Sequence, residues 1–181
     1  MPDCRDKSDE ENCEVLVLGK SYNKNVPPVI SEKEKVNVSI SISILKLVDI
    51  KEEDYSIEIQ FSIILKWKEN RAKYHNLNHE KDLNALTKEE ILKLWLPKVI
   101  YENTDQKDTT RLGEYGKGEW DTSVVVEREG NFTQSDINIV DESEIFEGSE
   151  NNLTMKQTYT REFQCNYDFV RYPFDTQVCH Q

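Results

Sequence analysis

Apolar and polar residues alternate strictly from Val36 to Ile44, with Val36, Val38, Ile40, Ile42 and Ile44 on one face and Asn37, Ser39, Ser41 and Ser43 on the other. A period of two is that of a strand half-buried against a core. At Leu45 and Leu47 the apolar phase slips by one residue, which a bulge absorbs without turning the core face outward. Lys51, Glu52, Glu53 and Asp54 read as a polar turn. Alternation then returns, with Ile57, Ile59, Phe61, Ile63, Leu65 and Trp67 facing inward and Glu58, Gln60, Ser62 and Lys66 outward, Ile64 being an apolar exception on the polar side. A later run sets Leu153, Met155, Tyr159 and Phe163 on the parity of Cys165, with Thr154, Lys156, Thr158 and Thr160 opposite. Between these runs, residues 120–126 read as a strand, residues 72–88 as a polar connection and residues 141–150 as an acidic loop. Thr87, Lys88, Glu89 and Glu90 form a capping box that starts a helical turn near 87–95, and Pro97 limits its length. Recurrent alternation with one short helical signal predicts an all-β fold, an antiparallel β-sandwich.

Length and charge narrow the function. At 181 residues the chain suffices for one domain with a real core and a small appendage. A net charge of -12 argues against nucleic acid and against anionic membrane surfaces as partners. No run approaches the roughly eighteen apolar residues of a membrane span, and Met1 is followed by Pro2, Asp3, Cys4 and Arg5 rather than a basic and then apolar leader. Four cysteines near the two ends suit an oxidising compartment. The sequons at Asn37, Asn131 and Asn152 suit it as well. Extracellular chemistry without a leader or a membrane span leads to the expectation that the sequence is a fragment of a longer polypeptide. No glycine loop for phosphate, metal-binding histidine motif or set nucleophile is recognisable, so neither enzyme activity nor a cofactor is expected. His75, His79 and His180 read as solvent-facing.

Cys165 and Cys179 enclose thirteen residues, with Tyr172, Pro173, Phe174 and Asp175 at the bend. Spacing alone leaves open a disulfide-closed hairpin, stabilised by roughly 3 kcal/mol through loop entropy, or two unrelated cysteines. Upstream stand Tyr22 and Pro27, then Trp67-Lys-Glu-Asn-Arg71, then Trp95-Leu-Pro97 with Asn103 six residues after the proline. This ordered set resembles the extracellular ligand-binding domain of Cys-loop, neurotransmitter-gated ion channels. One departure is Lys98, where the family places aspartate directly after the proline.

The resemblance implies a Cys165–Cys179 disulfide and a β-sandwich of the channel ligand-binding type, incomplete at its C-terminal end, over residues 15–181. It further implies a small neurotransmitter-like ligand held between adjacent subunits of a homo- or hetero-pentamer. Tyr101, Glu102 and Asn103 match the first loop of the principal face. Gln60, Ser62, Ile64, Thr154, Lys156 and Thr158 match strands of the complementary face, and the alternative for them is a plain solvated strand surface. Tyr172, Pro173, Phe174 and Asp175 would couple ligand to pore by resting on a transmembrane domain that this chain lacks, with Pro173 often cis in the family. The full-length protein would then sit in the cell membrane with this domain on the extracellular face. Residues 1–14 resemble the end of an LDL-receptor class A module, which implies calcium ligands at Asp3, Asp9 and Glu10 only where the module is complete. The alternatives are a secreted binding protein of the same fold without a pore, and a calcium-dependent LDL-receptor-like receptor.

Overall fold

A computed structural model describes residues 14–28, 35–101, 103–104, 123–129, 145–177 and 179. Among them the strands are β1 (Leu16–Leu18), β2 (Ser39–Lys51), β3 (Ser56–Lys68), β4 (Ala72–His75), β5 (Ser123–Glu127), β6 (Ile145–Glu147) and β7 (Asn152–Gln164). A single turn of 3-10 helix covers Lys81–Asn84, and α1 covers Lys88–Lys93. The strands form two antiparallel sheets, β1-β4-β6 and β2-β3-β7-β5, the all-β sandwich class that the alternation predicts.

The period of two holds closely in β3 and β7. Ile59, Phe61, Ile63, Leu65 and Trp67 are buried on one side of β3, and Leu153, Met155, Tyr159 and Phe163 on one side of β7. Burying side chains of this size contributes about 1.5–3 kcal/mol each. The register of β5 on β7 sets Val124 opposite Met155 and Val126 opposite Leu153, so four buried residues share one face. The capping box forms as read: the Thr87 side chain accepts from the Glu90 backbone, and the Glu90 side chain accepts from the Thr87 backbone.

Two compact units emerge along the chain, one from described residues within Met1–Ile40, Leu65–Pro97 and Ser123–Lys156, the other from those within Ser41–Ile64, Lys98–Thr122 and Gln157–Gln181. The first has Leu65, Trp67, Tyr74, Val124, Val126 and Leu153 at its centre. In the second, Phe61 lies within 5.7–5.9 Å of the Tyr101, Tyr159 and Phe163 ring centroids.

Several expectations need correction. β2 is a strand but is not half-buried: Ile40, Ile42 and Ile44 are 58%, 63% and 68% exposed. It is the last strand in its sheet order, and among the described residues no second layer covers it. Alternation reports which residues share a face, while burial requires an opposing layer. The connection at 72–88 contains β4, whose Ala72 and Tyr74 are fully buried between β1 and β6. The acidic loop contains β6, and the entry segment contains β1. Strands of three or four residues are too short to express a period. Ser62, assigned to the outward face of β3, is buried at 6% exposure.

Candidate functional site

The disulfide loop belongs to the second unit. β7 delivers Cys165, whose backbone N–H donates to the Tyr55 carbonyl at 2.6 Å, and the structure joins Cys165 to Cys179. Gln177 closes the loop by accepting from the Asp168 N–H and donating to the Asp168 carbonyl, both at 2.8 Å, and it also donates to the Asp175 carboxylate. Reversal at the bend uses turns from Phe169 to Tyr172 and from Arg171 to Phe174, and the Tyr172–Pro173 peptide is cis. The apolar tip stands out: Val170, Tyr172 and Phe174 are 88%, 67% and 91% exposed.

The turn between β2 and β3 grips the base of this loop. Tyr55 stacks on Tyr167 at 6.2 Å and meets the edge of Phe169 at 6.1 Å, while the Tyr167 hydroxyl donates to the Ser56 carbonyl at 2.9 Å. Glu162, three residues before Cys165, takes Lys51 at 2.6 Å on one oxygen and the Ser56 hydroxyl on the other. The Lys51 and Ser56 hydrogen bonds hold the Glu162 carboxyl below its ordinary value, and the Glu162 bond raises the Lys51 ammonium. Partial burial raises the Tyr167 phenol, and Glu52 adds to the effect. Lys51, Tyr55, Ser56, Glu162 and Tyr167 were absent from the sequence-based site. Their only sequence signal is opposite charge at Lys51 and Glu162, which is uninformative until strand order is known.

The other assigned residues fall as follows. In the second unit Tyr101 packs against Phe61, Tyr159 and Phe163 at 5.7–6.2 Å, and the Asn103 amide donates to the Gln164 carbonyl at 2.9 Å. Gln60, Ile64 and Thr158 are half-buried there, and Ser62 is buried. In the first unit, Thr154 lies opposite Val125 and exposed Lys156 opposite Ser123. Glu102, Asn131 and the three acidic residues Asp3, Asp9 and Glu10 lie outside the described residues. No cluster of potential metal ligands occurs among the described residues.

Three sequence motifs meet inside the first unit. Glu69 is fully buried and takes Arg71 through Nε at 2.8 Å and Nη2 at 2.9 Å, and the Tyr22 hydroxyl at 3.0 Å. That hydroxyl accepts from the Trp95 N–H at 2.8 Å, the Arg71 guanidinium lies 4.6 Å over the Tyr22 ring, and Trp67 meets Trp95 edge-on at 6.4 Å. Burial, with the Glu69 charge adding, outweighs the Trp95 bond and pushes the Tyr22 phenol up to about 12. Tyr22, the Trp67–Arg71 motif and Trp95 thus form one packing station, which orders the frame rather than presenting a ligand surface.

The sequence profile of the neurotransmitter-gated ion-channel ligand binding domain matches residues 11–181. The acetylcholine receptor delta subunit of Xenopus laevis is 26% identical over 111 residues, covering 58% of this chain and 20% of the relative. That of Mus musculus is 26% identical over 91 residues, covering 48% and 16%. The chain therefore aligns with a fifth or less of the length of these relatives. No helix among the described residues is long and apolar enough to cross a membrane. With the profile match running through the disulfide loop, the chain belongs to the neurotransmitter-gated ion-channel ligand binding domain family.

Proposed function

We propose that this chain is the extracellular ligand-binding part of a neurotransmitter-gated channel subunit. A small neurotransmitter-like ligand binds where subunits of a homo- or hetero-pentamer meet, and the Cys165–Cys179 loop couples binding to a pore supplied by further sequence of the same polypeptide. Tyr101, Glu102 and Asn103 serve the principal side, and Gln60, Ser62, Ile64, Thr154, Lys156 and Thr158 the complementary side. Residues 1–14 are the end of an LDL-receptor class A module, which holds calcium through Asp3, Asp9 and Glu10 only where longer sequence completes the module.

One observation carries the coupling role: an exposed apolar tip on a base clamped by a disulfide, the packed rings of Tyr55, Tyr167 and Phe169 and the Lys51–Glu162 pair. Apolar side chains this exposed gain nothing for the isolated domain and are suited to pack on another surface. The test is Phe174→Ser in the full-length subunit, measured by radioligand binding and by ligand-evoked current. Phe174 is 91% exposed, so folding and binding should persist. Ligand-evoked current should fall by roughly 5- to 150-fold, the usual range of coupling free energies. Unchanged current would refute the coupling role.

A further inference from the structure

We propose that a cleft of about 790 Å³ beside the start of β2 is the seat of an N-linked sugar carried by Asn37. The cleft lies wholly within the first unit, and acceptor asparagines of two sequons, Asn37 and Asn152, stand on its wall. Only Asn37 is free to serve. It is exposed and lies two residues ahead of β2, outside any strand. Asn152 is within β7, paired with Glu127, and its amide nitrogen donates to the Glu129 carboxylate at 2.7 Å.

The lining selects the chemistry. Half-buried Val36 gives the cleft apolar surface, and the buried Pro28 and Trp67 also line it. Two lining residues also carry buried polar atoms without partners, the Trp67 indole N–H, which needs an acceptor, and Asn70 Oδ1, which needs a donor. An inorganic anion offers acceptors alone and leaves Asn70 unsatisfied, whereas hydrocarbon satisfies neither atom. A sugar ring has an apolar face together with hydroxyls that both donate and accept. Lys68, exposed at the rim and without an ion-pair partner among the described residues, is a further donor to such hydroxyls.

The inference rests on the extracellular reading, since the co-reactant is a lipid pyrophosphate-linked oligosaccharide of the secretory lumen. Asn37 Nδ2 attacks the anomeric carbon of that donor. The N–C bond forms as the C–O bond to pyrophosphate breaks, and the nitrogen's proton passes to the transferase.

The test uses the full-length polypeptide expressed behind a supplied secretion leader in a glycosylating eukaryotic host. Supplying the leader separates this question from native targeting, which surface labelling of the native polypeptide reads independently. Peptide mass spectrometry should find Asn37 occupied. Amidase release of that glycan should be about tenfold slower from the native wild type than from native Asn70→Ala, the effect of one retained hydrogen bond. Ser39→Ala, at an exposed position on the cleft wall, removes only a hydroxyl and blocks transfer, and it should lower the melting temperature. An unmodified Asn37 would overturn the proposal. So would equal release rates from the two native proteins, or a melting temperature unchanged in Ser39→Ala.

Discussion

Glu90 offers the sharpest test of how the first unit is held together. Its carboxylate is 1% exposed and accepts three hydrogen bonds, from the Leu16 N–H and the Thr87 N–H at 2.8 Å each and from the Thr87 hydroxyl at 2.9 Å. One side chain therefore caps α1 and fixes β1, which lies 74 residues earlier in the chain. Glu90→Ala loses all three bonds and strands the N–H of Leu16, itself buried at 5% exposure. Bonds to a charged acceptor contribute about 1.5–3 kcal/mol each, and an abandoned buried donor costs about 1–3 kcal/mol. Against this, removing the carboxylate relieves the cost of keeping a charge away from water. The net expectation is a loss of about 2–4 kcal/mol, corresponding to one or two uncompensated bonds. Thr87→Ala leaves the Leu16 bond in place and should lose only the cap, about 1 kcal/mol. Glu90→Gln keeps one acceptor for Leu16 but sets an amide NH₂ against a donor at Thr87, so it should fall between the two. Urea unfolding curves with equal slopes for all variants give the comparison. A Glu90→Ala loss no larger than that of Thr87→Ala would refute the idea that the carboxylate fixes β1.

Tyr22 and Tyr74 both ionise above the ordinary tyrosine range, each chiefly through burial. For Tyr22 the stabilisation is complete below pH 10 and lost between pH 10 and about 12, because the unfolded phenol ionises first. Tyr22→Phe should flatten that part of the stability profile in alkaline denaturation, and an unchanged slope would count against the buried station. Glu162 has the opposite sign: with its pKa held down by Lys51 and Ser56, its contribution is present above its ordinary value of 4.5 and fades as the pH drops through the folded value. Glu162→Gln should therefore lower stability at neutral pH and narrow the gap from wild type in acid, read as melting temperature against pH. Gly148 donates to the Ala72 carbonyl at 2.9 Å, and a Cβ there would strike the Glu69 and Ala72 carbonyl oxygens. Both obstacles are backbone, so Gly148→Ala should cost at least the roughly 1–3 kcal/mol of an overpacked site. Calorimetry with a loss below 0.5 kcal/mol would refute that close approach, since surface substitutions without a mechanism stay within about that value.

The parts of the fold visible in the sequence are those in which one long element carries its own periodic signal. β3 and β7 have thirteen residues each, and their buried faces follow the alternation. The capping box is equally local, because Thr87 and Glu90 lie within one turn of each other. β1, β4 and β6 have three or four residues and no period to read, yet β4 contributes the fully buried Ala72 and Tyr74. Their sheet is specified by partners far apart in sequence, such as Leu16 against Tyr74 and Tyr74 against Phe146. No window of ten or fifteen residues contains that information. The tryptophan motifs were legible as landmarks but not as a station. Only the fold brings Tyr22, Glu69, Arg71 and Trp95 within hydrogen-bonding reach.

The same limit explains the two opposite errors on long strands. Ser62 is a polar residue on the polar parity of β3, yet it is buried, while Ile42 is an apolar residue on the apolar parity of β2, yet it is 63% exposed. Parity assigns a side chain to one of two faces, and it cannot say whether either face meets another layer. β3 lies inside its sheet between β2 and β7, whereas β2 is the last strand in the order. Strand order also decides what ties the disulfide loop down: Lys51 at the end of β2 and Ser56 at the start of β3 reach Glu162 of β7 only because β2, β3 and β7 follow one another in that sheet. The disulfide itself was implied by the family resemblance, where the spacing of Cys165 and Cys179 alone left it open. What anchors it belongs to the sheet, and a coupling role for its exposed tip depends on that anchor being stiff.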